Sequence, residues 1–273
     1  MFEGLASPLD LVLVLLGTSI VAGIAAGLFG IGGGAIIVPA LYFVFVAMGH
    51  EQTAMHAALA TSLATMILTS TRSVLGHHKH GAVDWAVLKS WSPWIVFGAF
   101  AGQATASGLT GSQLAVVFAI LAYILSAQLF FGRPDWRLGD DLPRGPLRAA
   151  IGGAIGTLSS LMGIGGGVFG VTLMTVYGRA MQQAVGTAAG FGLVIGLPGA
   201  MTAAVAGYGA DGLPPFSLGY VNLVALAFIS TITVAMAPLG VKLAHSLDGP
   251  MLKRLFAFLL FAVATRILFG SMA

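Results

Sequence analysis

The sequence predicts an all-α polytopic membrane protein built as an inverted repeat of five helical segments per half. A glycine-broken hairpin, with a short or re-entrant helix, is expected to open each half. Three observations predict this. Of the 273 residues, 58% are hydrophobic and only 8% charged, whereas a soluble domain carries roughly 25% charged residues. One glycine pattern occurs twice, as Gly30-Ile31-Gly32-Gly33-Gly34 and Gly163-Ile164-Gly165-Gly166-Gly167. Around that pattern the two halves match in register.

Apolar segments are expected at 9–28, 35–48, 55–75, 85–106, 113–131, 146–162, 168–177, 184–206, 218–242 and 253–270. A spanning helix needs about 20 residues. At 1.5 Å per residue, 35–48 and 168–177 reach only roughly 21 Å and roughly 15 Å, short of a ~30 Å hydrocarbon core. Both follow a glycine cluster directly. Glu3 and Asp10 flank the start and no basic stretch precedes the first apolar run, so that segment is expected to be retained and not cleaved as a signal peptide.

The repeat is read residue by residue. At one constant offset Gly23 falls on Gly156, Gly30 on Gly163, Gly32 to Gly34 on Gly165 to Gly167, and Val38 on Val171. Ala60-Thr61 then matches Gly186-Thr187, and Gly81-Ala82-Val83-Asp84 matches Gly219-Tyr220-Val221-Asn222. Gly102 pairs with Gly240, Leu109 with Leu247 and Phe118 with Phe256. A run of matches across five segments is a duplication. The expected units are 1–131, a cytoplasmic linker 132–145, and 146–273.

Loop charge orients them. The linkers at 72–84 (Arg72, Lys79), 132–148 (Arg133, Arg137, Arg144, Arg148) and 242–254 (Lys242, Lys253, Arg254) are basic and expected in the cytoplasm. The linkers at 106–112 and 207–217 carry no Lys or Arg and belong outside. Five segments per copy is an odd number, so the second copy enters from the opposite face. Both termini are then expected outside, in the periplasm.

The breaks carry the chemistry. A helix starting after three glycines leaves its first N–H groups without intrahelical partners. In hydrocarbon such donors must face protein, water or a ligand. Those donors and the positive end of the helix dipole suit an anion. Gly32, Gly33, Gly34 and Ala35, with Gly165, Gly166, Gly167 and Val168, are therefore the expected binding residues. Close packing of small residues is the competing account, and it suffices for Gly23/Gly27, Gly98/Gly102, Gly152/Gly156 and Gly186/Gly190. A dinucleotide loop fails because no strand precedes Gly30.

In the third segment Thr61, Thr65 and Thr69 recur every four residues, Arg72 follows, and Ser62 and Thr53 flank the row. Thr61, Ser62 and the repeat-equivalent Thr187 are expected beside the anion. His56, Thr65, Thr69, Arg72 and Gln183 are candidates for a pathway or coupling role, with internal hydrogen bonding of the hydroxyls and of His56 as the alternative. His77-His78-Lys79-His80 reads as a solvated basic loop and not a metal site. Asp84 and Asn222 are expected to N-cap the helices they open. Trp85, Trp91 and Trp94 cluster near the start of the fourth segment, where Trp85 is expected to anchor at the interface. The near absence of acidic residues from the segments argues against a carboxylate proton relay. With no cysteine, no HExxH and no paired membrane carboxylates, no catalytic residue, cofactor or metal is expected, and the chain is not read as an enzyme.

The twin glycine motifs, Val38-Pro39, Ala60-Thr61-Ser62-Leu63, Gly186-Thr187 and His80-Gly81-x-Val83-Asp84 together resemble the TauE/SafE sulfite-exporter family. The resemblance covers nearly the whole chain. It implies a bacterial inner-membrane transporter that moves sulfur-containing anions such as sulfite or sulfonates, usually outward. In the second copy Gly170 precedes Val171, no proline follows, and Asn222 replaces the aspartate, which sets the two hairpins apart. The expected function is a secondary transporter of a small oxyanion working by alternating access. The alternatives are an anion channel, or a carrier for another anion such as a carboxylate or sulfate. The expected partners are the anion and the lipid bilayer, with no nucleic acid; a homo-oligomer stays open.

Overall fold

The computed structural model describes residues 7–132, 137–246 and 249–272. Ten helices run through them: α1 (Pro8–Phe29), α2 (Gly34–Ala47), α3 (Glu51–Lys79), α4 (Trp85–Ser107), α5 (Gly111–Phe131), α6 (Gly145–Leu161), α7 (Gly167–Val176), α8 (Met181–Ala206), α9 (Leu223–Ala244) and α10 (Gly249–Met272). Each expected segment is a helix. Arg133 and Glu3 lie outside the described residues.

Local chemistry sets the ends. Ser7 caps α1 by accepting from Asp10 N at 3.2 Å, and Pro8 follows, since its missing N–H costs nothing in a first turn. Thr110 and Gln113 form a reciprocal capping box on α5. Asp84 accepts from Val87 N at 3.0 Å and Asn222 from Ala225 N at 2.9 Å, so both serve as the expected N-caps. The α9 segment starts later than expected. Residues 217–222 instead form a short antiparallel pair, β1 (Ser217–Leu218) and β2 (Val221–Asn222), turning at Gly219. Asn222 then opens the helix.

Among the described residues four helices are long and apolar enough to cross a membrane: Leu9–Phe29, Gly111–Phe131, Met181–Ala206 and Leu223–Ala244. The helices α3 and α4 are as long but carry polar residues turned into the protein, such as Thr61, Thr65, Thr69 and Gln103. The short helices α2 and α7 each follow a glycine break.

α3 and α8 pack together at the centre. The remaining helices pack in matched pairs, α1 with α9 and α6 with α4, α2 with α3 and α7 with α8, α3 with α9 and α8 with α4. Residue contacts recur the same way with the halves exchanged. Gly240 lies against the Ile24 carbonyl as Gly102 lies against that of Thr157, and Gly23 meets Thr233 as Gly156 meets Ile95. Glycine at these crossings lets backbones touch. α5 pairs with α10 through Tyr123–Thr265 at 2.8 Å and Ser126 to the Ala257 carbonyl at 2.7 Å.

The loops sort to two ends. His50 and Thr53 both bond the Gly212 carbonyl, at 2.9 and 2.8 Å, tying the start of α3 to the 207–217 linker expected outside. At the other end His80 stacks on His245 at 4.5 Å, and Ala82 lies against Gly186. Partial burial and the neighbouring His80 hold His245 below the usual histidine range.

Candidate functional site

The two glycine breaks meet at the centre of the molecule. A β-carbon at Gly34 would stand 2.9 Å from Ile164 Cα and closer still to the Gly163 carbonyl; one at Gly167 would stand 2.5 Å from Ile31 Cα and closer still to the Gly30 carbonyl. Gly30 packs on Val185 of α8 while Gly163 packs on Leu59 of α3. All of Gly30–Ala35 and Gly163–Val168 are buried. Each break thus seats against the other and against the opposite central helix.

Their conformations differ. Gly30, Gly32 and Gly33 have φ of 67°, 69° and 82°, but in the second break only Gly163 is left-handed, at 60°, and Gly166 has φ −57°. A left-handed φ favours glycine strongly. A β-carbon at Gly166 meets first the flexible tip of Ile195, whereas one at Gly33 meets the Ala22 carbonyl. We therefore expect Gly33→Ala to lower the thermal midpoint by several degrees while Gly166→Ala leaves it nearly unchanged, on the order of 1–2 kcal/mol apart. Equal midpoints in a detergent melt would contradict this difference in backbone.

The donors of the first break are left largely without partners. Ile36 and Ile37 N–H both bond the Gly33 carbonyl, at 3.0 and 3.1 Å. For the N–H groups of Ile31, Gly32, Gly33, Gly34 and Ala35, no acceptor is present among the described residues. In the second break Gly167 N–H turns back to Gly165 and Gly170 N–H to Gly166, and the N–H groups of Gly165, Gly166 and Val168 have none among those residues.

The hydroxyls are distributed differently from the expectation. Thr61 and Thr187 are fully buried, and each accepts a hydrogen bond from a backbone N–H in the other half. Asn222 N donates to Thr61 at 2.9 Å and Asp84 N to Thr187 at 2.8 Å. Ser62 donates to the Gly163 carbonyl at 2.7 Å, and Thr65 to the Ser62 carbonyl at 2.7 Å. Thr69 bonds Thr233 of α9 at 2.7 Å. Only the oxygens of Thr61 and Thr187 are thereby engaged, and their protons stay available.

Arg72 departs from the expected stripe: it is exposed, while Thr61, Thr65 and Thr69 are buried. Gln183 is half-buried on the first turn of α8. His56 clamps α3 to the end of α4, its Nε2 facing the Ala106 and Leu109 carbonyls at 3.3 and 3.0 Å, with its ring stacked on Tyr220. The HHKH run is not a solvated loop throughout. α3 continues to Lys79, and the fully buried His77 places Nε2 2.8 Å from the Gly27 carbonyl. Only His78, Lys79 and His80 are exposed.

Ser70 was not foreseen. It is fully buried and its hydroxyl has no partner among the described residues. That oxygen lies 3.0 Å from the β-position of Gly32 and closer still to that of Gly192 on α8, which in turn neighbours Gly165. Ser70 therefore projects into the space where both breaks and both central helices converge. Its position directly after Thr69, and the bare Gly190-x-Gly192 spacing on α8, were the available signals. Both are faint, because the contact joins residues more than a hundred positions apart.

No lysine, arginine, aspartate or glutamate is among the buried residues described. Main-chain N–H groups, helix dipoles and neutral hydroxyls are the polar resources of the junction.

Comparison with known proteins decides the family. The sulfite exporter TauE/SafE family model matches residues 15–267. The chain belongs to the TauE/SafE family. A probable membrane transporter protein of Haemophilus influenzae is 35% identical over 93% of this chain and 96% of its own length. Probable membrane transporter proteins of Methanocaldococcus jannaschii and Bacillus subtilis are 24% and 26% identical over 88% and 85% of the chain. No solved structure matches. This TauE/SafE protein is a multi-pass membrane transporter.

Proposed function

We propose that the protein is a secondary carrier that exports a small sulfur-containing oxyanion, sulfite or an organosulfonate, by alternating access. The observation that carries this reading is the convergence of unpartnered N–H groups from two opposed breaks on one unpartnered hydroxyl, Ser70. Donors without acceptors in a water-poor interior call for an acceptor-rich guest. The absence of buried carboxylates among the described residues leaves nothing to repel an anion. The buried junction fits an occluded state.

The halves, 1–131 and 146–273, would act as inverted repeats joined by the 132–145 linker in the cytoplasm, with both termini periplasmic in the bacterial inner membrane. The exchange of contacts between halves and the grouping of basic loops support that arrangement. Rocking one half against the other would open the junction to each side in turn.

Purified protein in liposomes tests the reading. Sulfite loaded on one side should be carried out, with trans-stimulation by sulfite on the other; flux without trans-stimulation would instead indicate a channel. Ser70→Ala removes one hydroxyl donor to a charged guest and should raise the half-saturating sulfite concentration on the order of tenfold. No sulfite or sulfonate flux from correctly inserted protein would sink the proposal.

A further inference from the structure

A second group of buried polar atoms without partners lies away from Ser70. Gln103 Nε2 and Oε1, Ser159 Oγ and Ser160 Oγ have no hydrogen-bond partner among the described residues, and all three residues are fully buried. They stand on two helices that pack together, Gln103 on α4 and Ser159 and Ser160 on α6. α4 and α6 run side by side, with Gly156 against Ala99 and Gly102 against Thr157. One turn further along each helix come Gln103 and Ser160. A β-carbon at Gly199 of α8 would stand 3.1 Å from Ser160 Oγ, and Leu63 of α3 closes the same spot. Beyond Gln103, the Ala106 carbonyl holds His56; beyond Ser160 begins the second glycine break.

The matched place in the other half shows what is unusual here. There α3 brings Ser73 to the Ala26 carbonyl at 3.3 Å and His77 to the Gly27 carbonyl at 2.8 Å. Each polar side chain is satisfied, apart from His77 Nδ1. In this half α8 supplies Gly199 and Ala203 at the corresponding positions, which fill less space and offer no polar side-chain atom. The polar groups stand instead on α4 and α6, with Ser160 Oγ and a Leu63 methyl beside the bare Gly199. Buried polar atoms are satisfied in folded proteins, and a small ligand with several acceptors would satisfy these.

We propose that Gln103, Ser159 and Ser160 form a second anion site, a waypoint for a small oxyanion such as a sulfonate between the His56 end of the molecule and the glycine junction. The site rests on the anion reading above. The Gln103 amide and two serine hydroxyls supply donors spread over two helices, suited to the separate oxygens of a tetrahedral anion. No Lys or Arg is buried among the described residues, so the anion is held loosely, as transit requires.

The chain has no cysteine, so single thiols report the site without background. Ser160→Cys and, separately, Ser159→Cys in full-length protein in liposomes are labelled with N-ethylmaleimide and followed by mass. Methanesulfonate should slow labelling at least fivefold, and dimethyl sulfone, its uncharged counterpart, should not. Adding Gln103→Leu should remove that protection. Protection by both compounds alike, protection that survives Gln103→Leu, labelling indifferent to methanesulfonate, or no labelling of either thiol each overturns the site. Sulfite flux is measured on the same preparations. Protection without flux keeps the site and removes the carrier reading; flux without protection does the reverse.

Discussion

Gly34→Ala and Gly167→Ala are each expected to remove more than nine-tenths of the proposed sulfite flux and to lower the thermal midpoint, whereas Gly17→Ala should leave flux unchanged and should not lower the midpoint. The added methyl at Gly34 or Gly167 meets backbone of the opposite break: the Gly163 carbonyl and Ile164 Cα in one case, the Gly30 carbonyl and Ile31 Cα in the other. No rotamer relieves a clash with main chain, so the breaks must separate. Overpacking of a tight core costs about 1–3 kcal/mol even where side chains can yield, and here they cannot. Nothing lies within 4 Å of the β-position of Gly17, and alanine in a helix interior is favoured over glycine by about 1 kcal/mol. Measured in the same liposomes and by the same detergent melt, Gly34 and Gly167 variants as stable and active as Gly17→Ala would remove the junction from the mechanism.

The second large effect is expected at Thr61 and Thr187. Valine keeps the shape of threonine but removes the oxygen that accepts from Asn222 N or Asp84 N. A buried N–H left without an acceptor costs about 1–3 kcal/mol. Each lost bond also loosens the residue that caps the next helix, α9 or α4. Thr61→Val should destabilise more than Thr187→Val, because Asn222 is buried whereas Asp84 is half-buried and can reach water. Serine at either position keeps the oxygen and should keep most of the stability. The measurement is the midpoint of detergent-solubilised protein for the valine and serine variants side by side. Valine variants that match serine would show that these hydrogen bonds hold nothing together. Flux read alongside separates the roles: a serine variant with wild-type stability but impaired flux would give the threonine methyl a part in the path.

Much of the fold was legible because hydropathy and punctuation are local. Apolar runs, the Asp84 and Asn222 caps and the triple glycines each act within a few residues. A hydrocarbon environment makes these signals strong, since a backbone there must satisfy its own hydrogen bonds. The start of α9 was misplaced for the same reason. Residues 217–222 are apolar enough to read as helix, but the pairing of Ser217 with Asn222 and the left-handed Gly219 make a hairpin of them.

The site was legible only in part. The glycine breaks were found because their pattern repeats, but the row of threonines told little about its use. Spacing placed Thr61, Thr65 and Thr69 on one face; it could not say that Thr69 bonds Thr233 or that Ser62 bonds Gly163. Ser70, one residue off that row, keeps a free hydroxyl because its neighbours across the interface are Gly32 and Gly192, which offer no side chain.

The sequence by itself determined that this is a helical membrane protein whose helices are twice broken by a glycine cluster. Composition and periodicity are properties of short stretches, and a bilayer enforces them directly. Tertiary structure decided which polar groups are used up and which stay free. A hydroxyl has the same chemistry wherever it sits on its helix. Whether it meets a carbonyl, a backbone N–H or bare glycine depends on helices from the other half, and no local pattern records that meeting. The twin Gly-Ile-Gly-Gly-Gly runs therefore announced a break, and only the packing of one against the other brought them together as the junction proposed to hold an anion.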